Sequence, residues 1–235
     1  MSAIRETKAN QFYEWEILLR EFETLIAPVN AESQLEQLLD EFDHHQESWR
    51  ENQKSRADDF NILRTMRLTR NELCHSDILA WLLDSRETHA QEKLGFQLFL
   101  KELNLPEDFA KKDYTVIREM SGDDSRLDIV VQAEGEFIIG IENKIDSVEG
   151  EDQTKREWKD LEKRKLNTPT EIFAFFLTPD GTKPICPHFQ PLTWQVVANI
   201  FQRFSDDAEA NLVGVFAKHY ATILRHDIVP ETEEE

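Results

Sequence analysis

Arg126-Leu-Asp128-Ile-Val-Val-Gln-Ala-Glu-Gly135-Glu-Phe-Ile-Ile-Gly-Ile-Glu142-Asn-Lys144 says more about the architecture than any other part of this chain. Two apolar runs flank Ala133-Glu-Gly135-Glu, a turn signal, so the stretch predicts two short strands in a hairpin. Residues 137–141 form the unbroken apolar run of a buried strand, yet that run ends in Glu142 and Lys144. Side chains alternate along a strand, so Glu142 and Lys144 share a face with Ile138 and Gly140. Asp128 joins them from the neighbouring strand if the pairing register allows. Two carboxylates and an ammonium at the end of a buried hairpin are costly to desolvate without compensation. A divalent cation on the carboxylates, with the lysine directed at the same spot, supplies it. The plain alternative is a surface ion pair at the sheet edge, which contributes little.

Upstream, Phe12, Trp15, Ile17, Leu18, Phe22, Leu25 and Ile26 recur at helical spacing up to Pro28. A second helix is expected from Ala31 to about Asp59. Thr69 followed by Glu72 is a capping-box pattern, which predicts a helix from Arg70 through Leu83 and offers Glu72 a purely structural use. A further helix is expected over about 91–104, and a strand over Tyr114–Met120 with Glu119 near its end.

Downstream, a polar helix is expected over 149–166, then a very apolar strand, Glu171-Ile-Phe-Ala-Phe-Phe-Leu177, closed by Thr-Pro-Asp-Gly181. Helices over 193–204 and 210–225 finish the chain. The first three strands suit an antiparallel meander. The fourth, reached through a helix, suits parallel pairing, which gives an α/β fold with a mixed sheet flanked by helices.

The 235 residues carry a net charge of -20, which argues against a general nucleic-acid coat. Residues 1–60 hold 14 acidic and 6 basic side chains, whereas residues 153–166 hold 6 basic and 3 acidic. The sign reverses beside the hairpin, which leaves local phosphate contact open. Forty per cent hydrophobic content and 15 Phe suffice for a substantial core. No apolar run reaches membrane-spanning length, and Met1-Ser-Ala-Ile-Arg-Glu lacks the apolar stretch of a signal peptide. Cys74 and Cys186 match no zinc spacing and read as free thiols. A cytoplasmic protein without membrane contact is expected.

The order helix, three strands, helix, strand, with Asp128 on the second strand and Glu142-Asn-Lys144 on the third, resembles the PD-(D/E)XK nuclease superfamily, whose fold is restriction-endonuclease-like. It is most similar to a bacterial branch of nuclease-like proteins often linked to phage defence. Phe60-Asn-Ile, Asn71-Glu-Leu-Cys-His-Ser-Asp-Ile-Leu-Ala-Trp-Leu-Leu-Asp84, His89, Gly95, Phe99-Leu100, Arg126-Leu-Asp-Ile and Ile141-Glu-Asn-Lys-Ile145 carry the likeness, which spans about residues 60–200. Two departures stand out. Leu127 replaces the proline usual before the Asp, and Gln153-Thr-Lys-Arg-Glu157 replaces the usual Gln-Leu-X-X-Tyr.

The resemblance implies a metal-dependent nuclease. Glu72, Asp128 and Glu142 would be ligands of Mg²⁺ or Mn²⁺, with Lys144 beside the attacking water and Gln153 completing the site. Glu119 would replace or assist Glu72. Buried hydrogen bonding is the preferred account of His75, Ser76 and His89. The implied substrate is nucleic acid, DNA before RNA, with a homodimer and a protein partner on the N-terminal helices as further expectations. Expected boundaries are a helical extension over 1–59, the nuclease-like domain over 60–228 and an acidic disordered tail over 229–235. The rival reading is a nuclease-like fold with weak or lost cleavage, used to bind a protein through its acidic helices.

Overall fold

The computed structural model describes residues 31–57, 60–165 and 168–230. The chain divides into two compact units, Met1–Phe60 and Asn61–Glu235. Of the first, the described part is helix α1 (Ala31–Arg56), as expected from its sequence. The helix expected over 10–27 and the acidic residues 231–235 lie outside the described residues.

The second unit begins with α2 (Ile62–Thr65), α3 (Glu72–Leu83), α4 (Leu94–Glu102) and a 3₁₀ turn at Glu107–Lys111. Three strands follow, β1 (Thr115–Ser121), β2 (Arg126–Ala133) and β3 (Phe137–Asn143). Then come α5 (Gln153–Arg164), β4 (Glu171–Thr178), β5 (Phe189–Thr193), α6 (Trp194–Asp207) and α7 (Asn211–Ile223), with a π-helical turn at Leu224–Ile228. The strands lie side by side in chain order. β1–β2 and β2–β3 pair antiparallel, β3–β4 and β4–β5 parallel. The expected mixed sheet is therefore present, in a layered α/β arrangement consistent with a restriction-endonuclease-like fold.

Two expectations need correction. β5 is an additional strand, hidden in the sequence by Pro191, which breaks the alternation but is tolerated on an edge strand where no ladder donor is needed. The start of α3 is also different. Asn71, not Thr69, is the N-cap: its side chain accepts the N–H of Cys74 at 2.8 Å. Glu72 is thus the first helical residue and its carboxylate is released from capping.

Alternation along the strands sorts the core into two layers. Ile129, Val131, Ile139 and Ile141 pack under α3, α4, α6 and α7 in the larger cluster, with Leu79, Leu82, Phe96, Phe99, Phe201 and Tyr220. Val130, Ile138, Ala174 and Phe176 meet Leu161 of α5 on the other face. Gly140 permits that second contact: a Cβ there would stand 2.7 Å from Leu127 Cδ2 and 3.0 Å from Leu161 Cδ1. Glu142 shares the parity of Ile138 and Gly140, so the sheet presents it to the α5 side. The turn at Gly135 adopts φ +74°, the left-handed conformation that glycine supplies without steric cost.

His75 of α3 and His89 beyond it make buried hydrogen bonds, as expected. His75 is fully buried between Tyr220 Oη and the Thr69 carbonyl, each at 2.7 Å. His89 is likewise buried, bonding the Asp84 carbonyl at 2.9 Å and accepting the Gln91 N–H at 3.0 Å. Burial pushes both imidazoles below the ordinary histidine range, which keeps them neutral. Cys74 and Cys186 are free thiols.

Candidate active site

The antiparallel register that pairs Ile129 with Ile141 places Asp128 opposite Glu142. In the same way, pairing of Arg118 with Ile129 and Met120 with Leu127 puts Glu119 across from Asp128. Three carboxylate-bearing positions therefore line up across β1, β2 and β3. A backbone donor sets the first of these groups: the N–H of Asn143 reaches Asp128 Oδ2 at 2.8 Å. Behind it, Arg118 donates to the Asp128 carbonyl, to Asp77 Oδ1 at 2.7 Å and to the Leu73 carbonyl at 3.3 Å, which ties β1, β2 and α3 together.

Glu142 is 2 % exposed. Its Oε1 lies 2.8 Å from Lys144 Nζ and also accepts from Gln153 Nε2. Its Oε2 is buried without a hydrogen-bond partner. Burial, followed by the charge of Asp128, pushes the Glu142 carboxyl up to about 7. Asp128 moves upward for the same leading reason, with the Asn143 N–H and Lys144 opposing the shift. Burial works against the Lys144 ammonium, but Glu142, Asp128 and Glu72 outweigh it and raise its pKa. Both partners of the Lys144–Glu142 pair thus shift upward. One ammonium is too little to offset two desolvated carboxylates.

Gln153, the first residue of α5, closes the cluster. Its amide nitrogen faces Glu142 and stands 2.8 Å from Glu157 Oε1, while its oxygen accepts the Gly150 N–H at 3.1 Å. Glu157 is 1 % exposed, with a buried and unpartnered Oε2, and burial together with Glu142 pushes its carboxyl up to about 9. Sequence reasoning gave Glu157 no function. The signal was its place, one helical turn after Gln153, where the family pattern carries a tyrosine.

Glu72 is held by the loop that follows Lys144. Its Oε1 accepts from the Ile145 N–H at 2.7 Å, the Ser147 hydroxyl at 2.8 Å, and the N–H groups of Asp146 and Ser147 at 3.3 Å. These donors outweigh burial and hold its carboxyl below the usual range. No three His, Cys, Asp or Glu side chains among the described residues form a group able to hold an ion. The loop after Lys144 engages the Glu72 carboxylate. Glu119 adopts a φ of +50°, pairs with Arg126 at 3.1 Å, and leaves its Oε1 buried and unpartnered.

Asn143 welds the layers together, with its side-chain amide on Ser76 Oγ at 3.0 Å and the Glu72 carbonyl at 3.1 Å. The Lys144 N–H extends the β3–β4 ladder to the Leu177 carbonyl at 2.8 Å, which fixes the lysine's backbone. The basic stretch of α5 is partly spent within the protein. Lys155 pairs with Asp152 and Lys163 with Asp123, both at 2.7 Å, while Arg156 donates to backbone carbonyls.

These residues fit a hard divalent cation. The donors are carboxylate oxygens, and Glu142 Oε2 is an orphaned buried acceptor that such an ion would satisfy. Mg²⁺ binds through one or two carboxylates together with water and phosphate oxygens, so a pair suffices.

A model of the PD-(D/E)XK nuclease superfamily matches residues 60–224. No curated protein and no solved structure matches the chain. The match takes in the whole of the sheet, α3 and α5, so the fold and the family agree: this chain belongs to the PD-(D/E)XK nuclease superfamily.

Proposed function

We propose that the protein is a metal-dependent nuclease that hydrolyses phosphodiester bonds of nucleic acid, with DNA as the leading substrate. The observation that carries this reading is Glu142: buried opposite Asp128, held on one oxygen by Lys144 and Gln153, and unpartnered on the other. A structural ion pair gains nothing from a second buried oxygen left bare. A cation site requires one.

Asp128 and Glu142 hold Mg²⁺ or Mn²⁺ in this reading. The cation, when bound, supplies positive charge at the scissile phosphate and lowers the pKa of a coordinated water. Lys144 keeps its ammonium charged and directs donors at the incoming water and at developing negative charge. Gln153 and Glu157 fix the orientation of Glu142, so no reorganisation is needed at the moment of reaction. Glu72 clamps the loop that follows Lys144. Defence against phage is the setting that the resemblance to the bacterial branch suggests.

Incubating the full chain with single- and double-stranded DNA and RNA in Mg²⁺ or Mn²⁺, beside EDTA controls, tests the reading. Metal-dependent cleavage that EDTA abolishes is expected. Thermal stabilisation by Mn²⁺ that Asp128→Ala removes is expected with it. An intact panel, without metal stabilisation, would favour the second reading, a protein-binding module. That alternative rests on Leu35, Leu39 and Trp49 of α1, which are 45 %, 53 % and 55 % exposed.

A further inference from the structure

A cavity of about 460 Å³ adjoins the candidate site and is lined by Lys144. The loop after β3, the end of β4 and the loop over residues 179–185 border it, with Pro230 also in the lining. Its floor is Phe176, 1 % exposed; Ile185, 49 % exposed, and Val148, 86 % exposed, lie at its rim. Pro179 and Pro230 add rigid apolar surface. The size lies in the range of small-molecule pockets and suits one nucleobase with its sugar.

The charges around it decide what it accepts. Three carboxylates belong to the lining, and each is already engaged. Asp146 is held by Arg70 at 2.5 Å. Asp180 accepts from Thr182 through its N–H at 3.0 Å and its hydroxyl at 2.7 Å. Glu149 joins α5 to the 179–185 loop, accepting from Thr154 and from the Ile185 N–H at 2.8 Å. Lys183, by contrast, has no partner among the described residues. Lys183 is therefore the lining side chain whose donors are unused, against apolar walls and beside carboxylates that keep their charge.

We infer that this cavity receives one unpaired nucleotide of the strand being cut, its base against Val148, Pro179 and Ile185 and its phosphates near Lys144 and Lys183. The choice of ligand rests on the nuclease reading. A base inside a duplex must be unpaired and unstacked before it can enter such a pocket, and a single strand avoids most of that cost. The protein accordingly prefers single-stranded segments, frayed ends or mismatches over continuous duplex.

Fluorescence of 2-aminopurine in a short single-stranded oligonucleotide, in DNA and RNA versions and with Ca²⁺ as the cation, reads occupancy of the pocket. The full-length chain should bind the single strand on the order of tenfold tighter than the matching duplex, as expected for one base removed from water against apolar side chains. Ile185→Trp, which fills the cavity from its exposed rim, and Lys183→Glu should each remove most of that preference. Lys101→Glu, away from the cavity, should not. Two variants of exposed residues guard against one that fails to fold. Equal binding of duplex, unchanged binding by both variants, or no binding at all would overturn the inference. Cleavage of the same strands in Mg²⁺ reports separately on the nuclease reading. Pocket-dependent binding without cleavage leaves the pocket standing and removes the nuclease; cleavage indifferent to both variants does the reverse.

Discussion

The amide nitrogen of Gln153 lies 2.8 Å from Glu157 Oε1, and it donates to Glu142 as well. Both hydrogens of one amide are thereby shared between two buried carboxyl groups. Glu157→Gln retains an oxygen acceptor for Gln153 and should keep cleavage within a few-fold of wild type. Glu157→Leu leaves a buried N–H unpaired, at a cost of about 1–3 kcal/mol, and frees Gln153 to turn from Glu142. Urea unfolding should show the loss of stability, and initial rates of cleavage should fall for the leucine variant alone.

The raised carboxyls give the metal-free protein a defined pH response. Glu142 and Glu157 hold their protons to about 7 and about 9 in the fold, whereas the unfolded chain releases them in the ordinary carboxylate range. The folded state therefore binds more protons across that interval, and stability falls as pH rises through it. Below the ordinary carboxylate range both states are protonated and these groups contribute no slope. Thermal unfolding in EDTA should show a Tm lower at pH 9 than at pH 5. Glu157→Gln should flatten the decline, and parallel profiles for the two proteins would exclude Glu157 as its source.

Glu72 should behave as a clamp. Its Oε1 receives donors from Ile145, Asp146 and Ser147, so Glu72→Ala releases the loop behind Lys144. The expected destabilisation is about 1–3 kcal/mol, less if water reaches the freed N–H groups. Amide hydrogen exchange should accelerate at Ile145 and Ser147, while Mn²⁺ affinity should change little. A large loss of Mn²⁺ affinity with an unchanged loop would instead make Glu72 a ligand.

Much of the fold was legible because its signals were periodic. The apolar run of β3, the turn at Gly135 and the Pro-Asp-Gly181 stop gave the sheet order, since alternation and turn chemistry are local properties. β5 was not legible, because Pro191 interrupts a strand of five residues that only pairing with β4 defines. The start of α3 misled for a related reason. Thr69 and Asn71 are both good caps, and the choice between them depends on what Glu72 meets in the folded protein. Within the candidate site, the juxtaposition of Asp128, Glu142 and Lys144 followed from strand parity. The burial of Glu157 did not, because a carboxylate on a charged helix ordinarily faces water. Only the packing of α5 against β3 and β4 turns it inward.

The most direct measurement is the single-turnover rate of cleavage in Mg²⁺ or Mn²⁺ for wild type and Lys144→Ala, on whichever nucleic acid the wild type cuts. Lys144 Nζ stands 2.8 Å from Oε1 of Glu142, one of the two carboxylates that would hold the cation. Its removal should slow cleavage on the order of 100- to 1000-fold, with far-UV circular dichroism unchanged. Cleavage by the folded variant at the wild-type rate would contradict the account.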